Sequence, residues 1–552
     1  MSIHPGSVPA TKSGALCFDL LCGTQETPKS AYKIPVERYA VISDKHHNVI
    51  LEISALLLVL CAAFHLFAYV SADPDLWGHL KFGQAHWESG LLSKTDIYSF
   101  TAFGRKWINH EWLTELIFYL LFNTFKDAGL LFGKLFVGLA VVSVMLVTCR
   151  VRRSSPVITA CVMMASVWAM KPGFMIRPQL FSFLFFSIYL LLFHLFFKRK
   201  INFLFCMPFI MGIWVNLHGG FLMGGALITV IVAWETIAHA IYKDRSQKLK
   251  QLWVWAVITA AAVLLNPYGY RLIVFLYKSL SLPREITEWM PVTLQDTSFF
   301  HFKIIGAAIL VVLLFSGRRN QGWEVTVLIF TGFFALKHQR NIVFFGITAA
   351  PYLAAGITTM VHSAARRYGR LILSNSFQIL IGIVFTVAAV WHAILGGNIY
   401  TRSGGGIVVD PNTYPVSAVE FLKQNRFQGN LFVFFDWGEY AIWKLYPDCK
   451  VSIDGRFRTV YPESVIRDHF TSADHVAKMI RVLAKYPADI LLYPRTPFTA
   501  SLMEEKKMWV YVYSDRLSLV FLRRNEKNRT LLSRFATSGF VYPIVADPFS
   551  FP

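Results

Sequence analysis

The chain has 552 residues, of which 55% are hydrophobic, 15% aromatic and only 16% charged, and its mean hydropathy is +0.46. Soluble proteins carry about 25% charged residues, so a string of soluble domains, a soluble enzyme on one anchor and a largely disordered chain are all excluded. Lys and Arg outnumber Asp and Glu by 54 to 33, a net charge of +21, but the excess falls in short clusters between apolar runs, which points to a membrane and not to nucleic acid as the partner.

Residues 1–47 are polar and lack the apolar core of a cleavable signal peptide; they predict a cytoplasmic N-terminal segment. A bilayer crossing takes about 20 apolar residues. Runs of that kind occupy 48–70 and 128–149, then approximately 156–171, 179–197, 202–216, 220–242, 251–266, 302–316, 322–336, 341–361 and 375–396. A shorter apolar piece, 111–125, precedes the second. The seven cysteines form no disulfide framework or paired zinc motif.

Basic clusters favour the cytoplasm. Arg150/Arg152/Arg153, Lys198/Arg199/Lys200, Lys243/Arg245/Lys248/Lys250, Arg318/Arg319 and Arg366/Arg367/Arg370 share one side only if 111–125 does not cross, which makes it a juxtamembrane or re-entrant helix. The expected fold is an α-helical polytopic membrane protein with about eleven transmembrane helices, N-terminus inside and C-terminus outside. Its membrane domain spans 48–400 with an outer loop at 71–127. From Gly405 strand-like alternation and turn residues set in, and 405–525 predicts a small extracytoplasmic α/β domain. The expected helices are 414–424, 437–446, 474–485 and 497–505, the expected strands 430–435, 450–453, 488–493, 509–513 and 517–522, and 526–552 reads as an irregular tail.

In this topology the unusual residues collect in outer loops. Asp73 and Asp75 stand one residue apart just beyond the first span. That spacing suits shared ligation of a divalent cation, or a general base beside an orienting partner whose pKa is raised near the lipid boundary. The bland alternative is a solvated helix cap. Arg177, Arg271, Lys337 and Arg340 lie on the side that cations avoid, at span ends where charge is expensive. Arginine's planar fork suits phosphate, against interfacial snorkelling as the alternative for any single one. The stretch 272–282, after Arg271, is amphipathic and suggests a lipid entrance. His79, His110, Glu111, Asn216 and His218 form a second tier of substrate-binding candidates. His79, His110 and Glu111 with Asp73 make a candidate metal set without tight helical spacing, Asn109 also reads as a simple helix cap, and Trp77, Trp107 and Trp112 suit either sugar stacking or an interfacial belt.

Asp73-Pro-Asp-Leu-Trp-Gly-His79, Asn109-His-Glu-Trp112, Arg177-Pro-Gln179, Asn216-Leu-His218 and Ile453-Asp-Gly-Arg456, within this topology, resemble a bacterial branch of the GT-C class of polytopic glycosyltransferases. That class includes oligosaccharyltransferase catalytic subunits, protein mannosyltransferases and aminoarabinose transferase. The branch reads D-P-D-L-W-W-H; here Gly78 stands for the second Trp, at the expected loss of one stacking surface. The resemblance covers almost the whole chain. It implies a hexosyl- or pentosyltransferase of the bacterial cytoplasmic (inner) membrane and cell envelope that uses a polyprenyl-phosphate-linked sugar donor. The acceptor would be a glycan, lipid or protein, met at the outer face. Asp73, with Asp75 second, would be the base or the ligand of a divalent cation.

Such a reaction needs a base for a weak hydroxyl nucleophile and fixed cations for the departing phosphate. Asp436-Trp-Gly-Glu439 and Asp454-Gly-Arg456 follow strands, where α/β domains bind ligands; the domain reads as acceptor recognition or a lid, and Asp454-Gly as a turn. Two other classes compete: a transporter or flippase of lipid-linked saccharide, without the paired halves such proteins show, and a polysaccharide polymerase or ligase.

Overall fold

A computed structural model describes residues 49–242, 246–280, 287–293, 295–315, 322–368, 375–472, 475–501, 508–537 and 551. The N-terminal segment 1–47, the Arg318/Arg319 and Arg370 positions and most of the tail lie outside the described residues. The helices up to the linker are α1 Val49–Phe67, α2 Leu76–Ser89, α3 Trp112–Val151, α4 Pro156–Met170, α5 Gln179–His194, α6 Cys206–Leu217, α7 Phe221–Tyr242, α8 Ser246–Ala262, α9 Tyr270–Leu280, α10 Phe300–Phe315, α11 Gly322–Lys337, α12 Ile342–Tyr368 and α13 Asn375–Arg402.

Every expected span coincides with a helix, but their lengths divide. Among the described residues, seven stretches are long and apolar enough to cross a membrane: Val49–Phe67, Trp112–Val151, Gln179–Arg199, Phe221–Tyr242, Thr297–Phe315, Gln339–Arg366 and Ser376–Arg402. The other four, α4, α6, α8 and α11, have 15, 12, 17 and 16 residues. At a rise of 1.5 Å per residue they are about 18–26 Å long, short of a hydrocarbon core about 30 Å thick.

The piece 111–125 is not a separate crossing. It continues into the following span as one 40-residue helix, broken by a single left-handed residue, Lys126 (φ 56°). The half before the break packs on α2 and on the C-terminal domain, where Phe122 meets Trp443 edge-on at 6.1 Å. Two of the basic clusters meet at one end of the bundle: Arg152 pairs with Glu324, Lys198 lies 3.3 Å from the same carboxylate, and Arg199 donates to the Arg150 carbonyl at 3.3 Å, whereas Lys243 and Arg245 of the third cluster also lie outside the described residues.

After the linker the chain forms α14 Val416–Gln424, β1 Gly429–Val433, α15 Gly438–Leu445, β2 Cys449–Val451, α16 Glu463–Ser472, α17 Val476–Lys485, β3 Ile490–Pro494, α18 Pro497–Ala500, β4 Trp509–Ser514, β5 Ser518–Arg523 and α19 Arg529–Thr537. The sheet order is β2-β1-β3-β5-β4, with β2, β1 and β3 parallel and β5 and β4 antiparallel. All five expected strands are present. The helices α16 and α19 were not expected; α19 falls where the tail reads as irregular, and its Phe535 packs on Phe421 and Phe427 of the domain core.

One physical division differs from the sequence-based one. The loop 71–111 and the first half of α3 share a single hydrophobic core with the α/β domain. Trp77 packs against Tyr414 and Tyr440 at 4.6 and 4.9 Å, and Ser99 forms a parallel bridge to Val451 at the edge of β2. Aromatic side chains in a loop with no lipid face gain about 1.5–3 kcal/mol each by such burial, so the loop folds onto the domain. Trp77 and Trp107 are core residues, with neither indole free for a sugar or for an interfacial belt.

Candidate active site

Loop residues from six places in the chain converge at the bundle end opposite the Arg152–Glu324 cluster. Asp73 is fully buried. Its Oδ1 accepts the Asp75 backbone N–H at 3.1 Å, and its Oδ2 accepts Arg177 Nε at 2.7 Å. The same guanidinium stands 3.4 Å from Asp75 Oδ2 and donates to Glu288 Oε1 at 2.7 Å. Burial works against the charge on Arg177, but Asp73, Asp75 and Glu288 more than restore it, and the side chain stays cationic.

The two aspartates are not equivalent. Asp73 has both oxygens engaged, whereas the Asp75 side chain is 31% exposed. Burial pushes both carboxyls above their usual range; at Asp75 Glu288 and Glu111 add to this, and Arg177 and His79 oppose it, so exposure and not the direction of the shift separates the two. A carboxylate with raised pKa and an open face is the better base. The sequence order, Asp73 first and Asp75 second, is thus opposite to their accessibility.

Arg340 lies on the other side of this group. It stacks over Trp289 at 4.8 Å and reaches Gln179 Oε1 at 3.4 Å. Among the described residues it has no carboxylate within ion-pair distance, although its charge is felt by Glu111. Arg271 and Lys337, the other two sequence candidates, are exposed, and neither has an ion pair among the described residues. The helix that Arg271 opens, α9, is amphipathic as expected, with Leu272 and Leu276 buried and Ile273 and Tyr277 exposed.

Three of the second-tier residues, His218, Glu111 and His110, are linked in a chain. Trp214 Nε1–H donates to Ser182 Oγ at 2.7 Å, and Ser182 Oγ lies 2.7 Å from His218 Nδ1. The Gly220 backbone N–H also donates to that Nδ1 at 3.0 Å. An indole N–H and a backbone N–H can only donate, so Nδ1 is the acceptor and the proton of the neutral ring sits on Nε2. That nitrogen faces Glu111 Oε1 at 3.6 Å. Burial drives the His218 pKa down to about 3, and the ring stays neutral. His110 Nε2 approaches the same Glu111 oxygen at 3.7 Å.

His79 turns elsewhere, toward Glu115 at 3.7 Å, while Asn109 donates to the other Glu115 oxygen at 2.5 Å. Asn216 is a scaffold residue: it accepts Trp112 Nε1–H at 3.0 Å and donates to the Gly212 and Leu265 carbonyls at 2.8 Å. The set of Asp73, His79, His110 and Glu111 does not assemble round one point, and no group of three His, Cys, Asp or Glu side chains arranged for a metal occurs among the described residues. This set does not fit a divalent-cation site.

Four participants were not singled out by their sequence context or were not given their role by it. Glu288 caps Arg177. Glu115 holds His79 and Asn109. Glu439, from the α/β domain, accepts the Gly78 N–H at 3.1 Å beneath Asp75. Lys134, buried in α3, donates to the Tyr69 carbonyl; a lone cation in an apolar run was the available signal. Gly78 does not simply lose a stacking surface. A Cβ there would lie 2.0 Å from the Glu439 carboxylate, so the glycine makes room for it. Asp454 and Arg456 are more than a turn: Arg456 donates to Asp454 at 2.7 and 2.8 Å and to Asp96 at 2.7 Å, which pins the loop to the domain.

Close by, a cavity of about 480 Å³ is walled by mostly apolar residues, among them Tyr69, Trp168, Phe174, Met175 and Phe299, with Lys171 as its cation. Two of its lining residues adjoin site residues along the chain, Tyr69 four residues before Asp73 and Met175 two before Arg177.

No protein-family model matches the chain, and no curated protein matches it. Among solved structures it is similar to ArnT from Cupriavidus metallidurans bound to undecaprenyl phosphate, at 12% identity over 87% of this chain and 98% of that one, with a TM-score of 0.45. It is also similar to the same protein in the apo state, at 13% identity over 86% and 97% of the two chains, with a TM-score of 0.46.

Proposed function

We propose that the protein is a membrane glycosyltransferase that moves a sugar from a polyprenyl-phosphate-linked donor to an acceptor at the outer face, with Asp75 as general base. The observation that carries this reading is the partly exposed Asp75 carboxylate 3.4 Å from the Arg177 guanidinium, on loops that also wall an apolar cavity. The cavity suits a prenyl chain. Arg340 suits the phosphate, since a planar guanidinium offers paired donors, and Arg177 becomes available as the phosphate displaces Glu288. The acceptor hydroxyl gives its proton to Asp75 as its oxygen bonds to the anomeric carbon. The bond from that carbon to the phosphate oxygen breaks, and the cations receive the developing charge. Asp73 holds Arg177 in place and does not take the proton. The basic clusters at the opposite end favour a cytoplasmic location for that end and an extracytoplasmic one for the α/β domain, in the bacterial cytoplasmic membrane.

The test is reconstitution of the protein in vesicles with synthetic polyprenyl-phosphate pentoses and hexoses and a panel of lipid, glycan and peptide acceptors. Release of free polyprenyl phosphate that depends on Asp75 supports the reading. A saccharide that crosses the bilayer still attached to its lipid would favour the flippase instead.

A further inference from the structure

We propose that Glu439 of the α/β domain is the positioning partner of Asp75, the two acids sharing one proton so that the domain sets the pH range in which Asp75 acts as a base. This rests on the reading of Asp75 as the base and extends it to a residue outside the membrane bundle.

The geometry is specific. Glu439 is 4% exposed, and its Oε2 accepts the Gly78 N–H. A Cβ built on Gly455 would lie 2.4 Å from Asp75 Oδ1 and 2.7 Å from Glu439 Oε1, so one small gap above Gly455 is shared by both acids. A side chain at 455 would enter the gap between the two acids, and one at 78 would run into Glu439.

The two guanidinium groups nearest the pair are already bound by other carboxylates. Glu439 faces Asp75, Asp454, Arg456 and Glu115, and Asp75 faces Arg177, His79, Glu288, Glu111 and Asp73, with Arg340 as a further cation acting on it from the membrane bundle. Arg456 is already bound by Asp454 and Asp96, and Arg177 by Asp73 and Glu288. Two acids at close range in a buried site do not both ionise, and the pair titrates in two steps that belong to both. Burial and the charge on Asp75 hold the Glu439 carboxyl well above its usual range.

In the proposed resting site the pair holds one proton, with the more deeply buried Glu439 favoured to carry it and the more exposed Asp75 to keep the charge. During transfer Asp75 receives the acceptor hydroxyl proton as the acceptor oxygen bonds to carbon and the phosphate leaves with its electron pair. The pair then holds two protons and returns one to water. Glu439 touches neither donor nor acceptor. When the pair loses its last proton at high pH, the site gains a second negative charge opposite an anionic donor, and turnover falls.

The experiment compares pH–rate profiles of the wild type, Glu439→Gln and Glu439→Asp in vesicles, with binding of farnesyl phosphate measured alongside. The wild type is expected to lose activity on the alkaline side. Glu439→Gln, neutral at every pH, should lose that alkaline limb or shift it upward by about one pH unit or more, with farnesyl phosphate affinity near neutral pH unchanged. Glu439→Asp should restore the limb. An alkaline limb identical in wild type and Glu439→Gln overturns the proposal. An infrared pH titration of the whole protein needs no turnover. It should show a protonated-carboxyl carbonyl band at neutral pH that Glu439→Gln removes, and a band unaffected by that substitution also overturns the proposal. If the wild type turns over no donor but the band behaves as expected, the transferase reading fails and the shared proton stands.

Discussion

Arg177 donates Nε to Asp73 Oδ2 at 2.7 Å, joining the loop after the first membrane helix to the loop between α4 and α5. Asp73 is 1% exposed, so its charge is tolerable only while this contact lasts. Removal of one partner of a buried pair costs about 3–5 kcal/mol, because the other is left charged and dry. Arg177→Ala should lower stability by about that amount, and Asp73→Asn by less, since the amide still accepts Nε–H. Thermal unfolding in detergent, followed by intrinsic fluorescence, measures both.

Gly78 and Glu439 are coupled by contact. A Cβ at 78 would sit 2.0 Å from the Glu439 carboxylate. Gly78→Ala should therefore destabilise the loop by about 1–3 kcal/mol, as overpacking does. Combined with Glu439→Ala, the cost of Gly78→Ala should largely vanish. A double-mutant cycle on unfolding midpoints reads the coupling, and strict additivity would separate the two residues.

Glu288 occupies Arg177 on its open side at 2.7 Å, with 33% of its own side chain exposed. In the proposed reaction it is the group that the donor phosphate displaces. Glu288→Gln removes a competing anion and should tighten binding of farnesyl phosphate severalfold, with a smaller effect at high salt. Calorimetric titration at two ionic strengths checks this.

His218 contributes to the pH dependence of stability. It titrates at about 3 in the folded protein against 6.5 for the unperturbed side chain. Between those values the unfolded chain binds a proton that the folded chain does not. Its contribution is full above pH 6.5 and is lost as pH falls toward 3, at up to about 1.4 kcal/mol per pH unit. His218→Gln should flatten that stretch of the stability profile relative to wild type, as read from denaturation midpoints across pH.

Much of the site was legible because its residues break local rules. Cations at the wrong ends of apolar runs marked Arg177 and Arg340, and carboxylates at a lipid boundary marked Asp73 and Asp75. Their expected convergence on one face rested on reading 111–125 as a helix that does not cross, ahead of the break at Lys126. What stayed hidden depends on long-range packing. Glu288 sits in an ordinary polar loop, and only the fold brings it 111 residues back to Arg177. Glu439 follows a strand in a domain that reads as separate, and nothing local says that the loop at 71–111 is buried against it. Asp73 and Asp75 were ranked by position, whereas accessibility separates them. Arg271 and Lys337 share the sequence signal of Arg340 but lie exposed, since a span end alone does not specify which way a side chain turns.

The most direct test of the central claim is single-turnover release of polyprenyl phosphate by Asp75→Asn beside the wild type, with farnesyl phosphate affinity measured on the same preparations. The account predicts a rate lower by about 10²–10⁴-fold, the usual worth of a positioned base, with affinity retained or improved. A rate within about twofold of the wild type would contradict it.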